Sequence, residues 1–141
     1  MMRAAWVMLA LSSPLAAQDA PAAFDAARTL PLSAGQWSYA GTLGGSEARF
    51  GSAFAIRCDR VARLVTLRRI GPVVTTPASA MTITTDLGVR TLASNGVVAN
   101  RDTVLDAIAF SRGRFIVDGG GLRLVLPASP EAARSIEDCR I

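Results

Sequence analysis

Two cysteines, Cys58 and Cys139, constrain this chain more than any other feature. Cys58 closes the run Ala53–Cys58, in which Phe54, Ile56 and Cys58 alternate with Ala55 and Arg57. That spacing puts the cysteine on the apolar face of a strand. Cys139 follows a helix start at Ser129-Pro130-Glu131: a capping hydroxyl, proline at the first helical position and an acid in the first turn. Ala132, Ile136 and Cys139 then share one helix face, so Cys139 points inward with Ile136. A bond between the two sulfurs would fasten a terminal helix to a central strand.

Whether they join depends on the compartment. Arg3, the apolar run Ala4–Leu11, the break Ser12-Ser13-Pro14 and the small residues before Gln18 read as a secretory leader over 1–17. The apolar run is too short to cross a bilayer, and no cysteine near the cut invites lipid attachment. The expected location is the periplasm or the medium, with no integral membrane span after cleavage. Two exported cysteines are expected to form a disulfide; a redox pair is the alternative, without the usual Cys-x-x-Cys spacing. The loop spans 81 residues, for which the chain-entropy picture gives about 4.5 kcal/mol. Small domains are stable by about 5–15 kcal/mol in all.

The rest of the 141 residues suffices for one domain. Residues 18–34 form an Ala/Pro-rich, mobile lead, with a helical turn expected over Phe24–Arg28 and Leu30-Pro31-Leu32 packing on the domain over 35–141. Gln36–Ala40 reads as a strand carrying Trp37, a core or rim residue. Gly41–Gly45 reads as a loop, Ala48–Phe50 and Ala53–Cys58 as strands, Asp59-Arg60 as a turn, and Arg63–Arg69 as the next strand. Val73–Ala80 reads as a linker. Met81–Thr85 and Val89–Leu92 form a hairpin about Asp86-Leu87-Gly88, and Val97-Val98 is a link after the Asn95-Gly96 turn. Asp102 caps a short helix bearing Val104, Leu105 and Ile108. Gly113 ends it in the left-handed region, with Arg112 and Arg114 against the negative end of its dipole. Phe115–Val117 and Leu122–Leu126 make a hairpin with Asp118-Gly119-Gly120-Gly121 at its tip. The fold class is therefore α+β: mainly antiparallel β, a small curled sheet or sandwich, with two short helices in the C-terminal half and one disulfide.

Composition then removes chemistries. There is no histidine, and all fifteen basic side chains are arginine. Ser-His-Asp and Cys-His catalysis, Schiff-base chemistry and histidine metal clusters are absent. No metal site, cofactor or phosphate loop is expected; the triple glycine leads into a strand, not a helix. The acid pairs Asp102 with Asp106 and Glu137 with Asp138 are the remaining acid–base candidates. Adjacent helical residues diverge, and Glu137 and Asp138 read as solvated charge near Arg134 and Arg140. Arg112, Gly113 and Arg114 are the candidate anion site: two guanidinium groups flanking a tight turn. With Arg3 removed, 14 arginines face 11 acids, a balance that favours anionic partners such as lipopolysaccharide, phospholipid heads or acidic glycans. The arginines form no run interleaved with aromatics, so nucleic acid is not expected.

Two blocks carry a resemblance. Leu105–Phe115, reading Leu-Asp-Ala-Ile-Ala-Phe-Ser-Arg-Gly-Arg-Phe, and Pro130-Glu131 through Arg134, Ile136-Glu137-Asp138-Cys139-Arg140 resemble the C-terminal part of small, uncharacterised exported proteins of sphingomonad-type alphaproteobacteria. Ile56–Arg60 is similar to that family's first cysteine strand. In the family an aromatic stands where this chain has Ser129. The resemblance covers the chain from Phe50 onward and implies export and a cysteine pair. The layout is more distantly similar to periplasmic invasion-associated proteins of the locus-B type. The function expected is a non-enzymatic binding or envelope-accessory domain of the periplasm. A periplasmic enzyme inhibitor of the lysozyme-inhibitor kind and a small carboxylate hydrolase are the alternatives.

Overall fold

The computed structural model describes residues 24–71 and 80–141. The leader expected over 1–17, the first part of the Ala/Pro-rich lead and nearly all of the 73–80 linker lie outside the described residues. The elements in order are β1 (Trp37–Thr42), β2 (Gly45–Phe50), β3 (Phe54–Asp59), β4 (Leu64–Arg69), β5 (Met81–Thr85), β6 (Gly88–Leu92), β7 (Val97–Ala99), α1 (Thr103–Ala109), β8 (Arg114–Asp118), β9 (Leu124–Pro127) and α2 (Pro130–Asp138). They build two antiparallel sheets, one ordered β1-β2-β3-β4-β7 and the other β6-β5-β8-β9. A further helical turn occupies residues 24–27. The protein is α+β and mainly antiparallel, and its two sheets face one another as a sandwich.

Alternation decides which residues meet between the sheets. Phe50, Phe54, Ile56, Cys58, Val65 and Leu67 line the first sheet's inner face; Ile83, Phe115, Val117, Leu124 and Leu126 line the second's. Phe54 and Phe115 meet edge to face, centroids 6.2 Å apart, a preferred aromatic geometry. Trp37 packs on Phe50 and donates its indole N–H to the Pro127 carbonyl at 2.8 Å, joining β1 to β9. Both faces of β8 are covered. Phe24, Ala27 and Leu30 pack on Ile116 from outside, and Ser33 bonds to Val125 through N–H and hydroxyl at 2.9 Å each. The open edge of β9 is closed there.

Three local expectations are corrected. Gly41–Gly45 is no loop: β1 and β2 pair from Trp37↔Phe50 to Thr42↔Gly45 across a two-residue turn. A Cβ on Gly45 would lie 1.9 Å from the Cys58 carbonyl oxygen, so glycine is what lets β2 approach β3. Val97-Val98 is no mere link, since β7 pairs with β4 through Val65↔Val98. The strand after the triple glycine begins at Leu124, and Leu122 is exposed. Arg69 takes the carbonyls of Gly119 and Leu122, which holds the tip in a loop. Burial is the main influence on that guanidinium and lowers its pKa, partly offset by Asp118.

Cys58 and Cys139 are disulfide-bonded, with Cα atoms 5.4 Å apart. Asp102 caps α1, its carboxylate accepting from Val104 N–H at 3.0 Å, and Ser129 caps α2, accepting from Ala132 N–H at 3.2 Å. Ala132, Ile136 and Cys139 are buried on one face, as their spacing requires. Replacing Cys139 with serine is expected to lower the unfolding free energy by about 2–5 kcal/mol. Urea unfolding of the oxidised protein and the variant measures this; coincident midpoints would show that the bond constrains nothing.

Candidate functional site

The candidate anion site does not assemble. The Arg112 side chain is 91% exposed and reaches Asp86 at 3.6 Å. Arg114 donates to the Leu30 carbonyl at 2.6 Å, pinning the N-terminal segment. Gly113 adopts the left-handed conformation foreseen for it, φ 83°, but no basic residue lies in the last turn of α1. The two guanidinium groups serve different partners and form no clamp.

The acid pairs also separate. Asp102 caps α1 and accepts Arg90 at 2.9 Å. Asp106 accepts Arg140 at 2.8 Å. Glu137 stands exposed against Arg140, whereas Asp138 is turned inward, its side chain 14% exposed. The reading of Asp138 as solvated charge is corrected. Its carboxylate accepts the Tyr39 hydroxyl and faces Arg60 at 3.7 Å, and its backbone carbonyl accepts Arg60 Nε at 3.1 Å. Arg134 lies 4.2 Å above the Tyr39 ring, a cation–π contact. Burial pushes the Asp138 carboxyl up. Hydrogen bonds from Tyr39 and Ser46 and the charges of Arg60 and Arg134 outweigh it and hold the group below its ordinary value.

Beneath this cluster, Ser46 and Ser135 are fully buried and share a 3.2 Å hydrogen bond, and Ser135 also donates to the Ile56 carbonyl. Sequence spacing carried no signal for these contacts, because the partners lie 79–99 residues apart. Their role is to seat α2 on the first sheet.

A groove of about 360 Å³ opens between the β5–β6 hairpin and α1, floored by Ile83, Val104 and Ala107 and rimmed by Leu87, Val89 and Arg90. Its size suits a small ligand. Its charges are already matched, Arg90 by Asp102 and Asp106 by Arg140, so it offers an anion no unpaired cation.

The outer face of the first sheet differs. Strand register sets Arg49, Ala55 and Arg68 in one row and Glu47, Arg57 and Thr66 in the next. Glu47 takes Arg49 at 2.8 Å and Arg68 at 3.4 Å. Arg57 is exposed and has no ion-pair partner among the described residues. Ala55 is fully buried between the two flanking arginines, as expected where long stems lie across a small residue. Asp59, the last residue of β3, lies on the same side and accepts Ala62 N–H at 2.9 Å, so three arginines outnumber two acids. Among the described residues no cluster of acids and cysteines could hold a metal, and no helix is long and apolar enough to cross a membrane.

Comparison with family models, with curated proteins and with solved structures finds no match to this chain.

With its carboxyl held low, ionised Asp138 adds stability that is present above the unperturbed value of 3.8 and is lost as the pH falls through the folded value. Asp138→Asn is expected to cost about 1–3 kcal/mol at pH 7. The gap to wild type should close in acid below pH 3.8. Urea titrations at both pH values test this, and a gap unchanged in acid would refute the charged role.

Proposed function

We propose that this protein is an exported, non-enzymatic binding domain of the bacterial periplasm, and that its partner is an anionic component of the envelope. The observation that carries the reading is the arginine-rich outer face of the first sheet. Arg49, Arg57 and Arg68 stand on three neighbouring strands with Glu47 among them and Asp59 at the end of β3, a net positive charge on the open face of the sheet. A basic sheet face whose arginines stand apart complements an extended anionic surface better than a single phosphate, for which guanidinium groups must converge.

The disposition of the acids supports the same reading. Glu47, Asp86, Asp102, Asp106, Asp118 and Asp138 each hold an arginine. Ion pairing of this kind occupies the carboxylates with contacts inside the molecule. Export is supported by the leader-like residues 1–17, by the disulfide, which persists in oxidising compartments, and by the resemblance of the C-terminal block to exported alphaproteobacterial proteins.

Retention on an immobilised sulfated glycan tests the reading. The wild-type chain should be held at physiological salt, and Arg57→Glu with Arg68→Glu should weaken retention by about tenfold or more. Failure of the wild type to bind both the glycan and anionic phospholipid vesicles, or turnover of a glycan or peptide, would overturn the proposal.

A further inference from the structure

One end of the first sheet exposes aliphatic side chains where turn chemistry does not ask for them. The β1–β2 turn carries Leu43 and the β3–β4 turn carries Val61, and these are 104% and 89% exposed. The turns are neighbours: Arg60 N–H donates to the Gly44 carbonyl at 2.9 Å. Leu64 follows at the start of β4, 38% exposed. Tight turns favour Gly, Asn, Asp and Ser, so a leucine and a valine at adjacent tips gain nothing from the local backbone.

Arginines flank these tips, and the one acid in the β3–β4 connection, Asp59, is turned to its own backbone, accepting Ala62 N–H at 2.9 Å. Arg60 and Arg63 lie in the β3–β4 turn. Asn100 N–H donates to the Arg63 carbonyl at 3.0 Å, which brings Arg101 to the same end. Arg60 is held by Asp138, while Arg63 and Arg101 have no ion-pair partner among the described residues. Arg57 continues the positive charge up the outer face.

The backbone adds a second, independent observation. Arg63 has φ 55°, and every other positive-φ residue described is a glycine. A long side chain in the left-handed region costs stability that glycine would not. Arginine at that position therefore works against the fold.

We infer that this end of the molecule docks on an anionic phospholipid surface, with Leu43 and Val61 entering the headgroup region and Arg60, Arg63 and Arg101 facing lipid phosphates. The inference rests on the anionic partner proposed above and names its class. Aliphatic side chains flanked by arginines match such an interface, where apolar groups enter the acyl boundary and guanidinium groups stay with the phosphates. A soluble polyanion satisfies the arginines and leaves Leu43 and Val61 in water. The disulfide lies directly behind the tips, since Cys58 precedes Asp59 at the end of β3.

Sedimentation with vesicles tests this on the product recovered after expression with its own leader. Binding to mixed phosphatidylglycerol and phosphatidylcholine vesicles is expected, with little to phosphatidylcholine alone. Leu43→Ser with Val61→Ser should weaken binding at least about tenfold, given the apolar area removed. Leu122→Ser, exposed on the second sheet's glycine tip, should leave it unchanged. Arg63→Gly should cut binding about fivefold while melting at the same temperature as wild type or higher, an outcome a purely structural arginine would not give. Vesicle binding indifferent to Leu43 and Val61, or to lipid charge, overturns the inference. Glycan retention without vesicle binding also overturns it and leaves the broader reading standing; absence of both removes the two together.

Discussion

The fold depends on how its last residues are held. Asp138, Cys139 and Arg140 are consecutive, and each grips a different part of the molecule. Asp138 meets Tyr39 on β1 and Arg60 in the β3–β4 turn. Cys139 is bonded to Cys58 on β3. Arg140 takes Asp106 on α1 and the Asn100 carbonyl, while Asn100 donates to the Cys139 carbonyl at 2.7 Å. A helix of nine residues has little stability of its own in water. It persists because both ends are secured, by the Ser129 cap at the start and by this triple anchor at the finish. In return its buried face, Ala132, Ser135 and Ile136, completes the core against the first sheet.

The two sheets are joined by apolar packing and by polar contacts aimed at backbone. Trp37 reaches Pro127, and Arg69 reaches Gly119 and Leu122. Each side chain satisfies a carbonyl that strand pairing does not use. Bonds from side chains of one sheet to backbone of the other fix the sheets' relative position as well as adding attraction. Arg69 bears a cost for this, since burial disfavours its charged form.

Charge is distributed to match. Acids are drawn into pairs at helix ends, turns and the α2 anchor, and the excess arginines remain on the outer face and at one end of the first sheet. The proposed binding surface is thus the remainder left when structure has used its carboxylates. It is not a pocket, in keeping with a partner that is a surface.

Much of the architecture was legible in the residues themselves. The caps Asp102 and Ser129, the shared face of Phe54, Ile56 and Cys58, the inward face of Ala132, Ile136 and Cys139, and the glycine hairpin tip follow from periodicity, capping chemistry and conformational freedom. Those are local properties of a chain. The strand at Val97–Ala99 was missed because three residues give no readable alternation, and Gly45 because its need for space comes from another strand's carbonyl. Arg112 and Arg114 are near neighbours in sequence, yet Asp86 and Leu30, set by the packing, pull them apart. Asp138 looked like surface charge for the same reason: Tyr39 and Arg60 come to it from 99 and 78 residues away. The sequence by itself determined most of the element types, the pairing expected of its two cysteines, and the chemistries absent for want of histidine and lysine. Only the tertiary structure decided which charges are spent and which are left facing outward, because a charge's role is set by its neighbours in space.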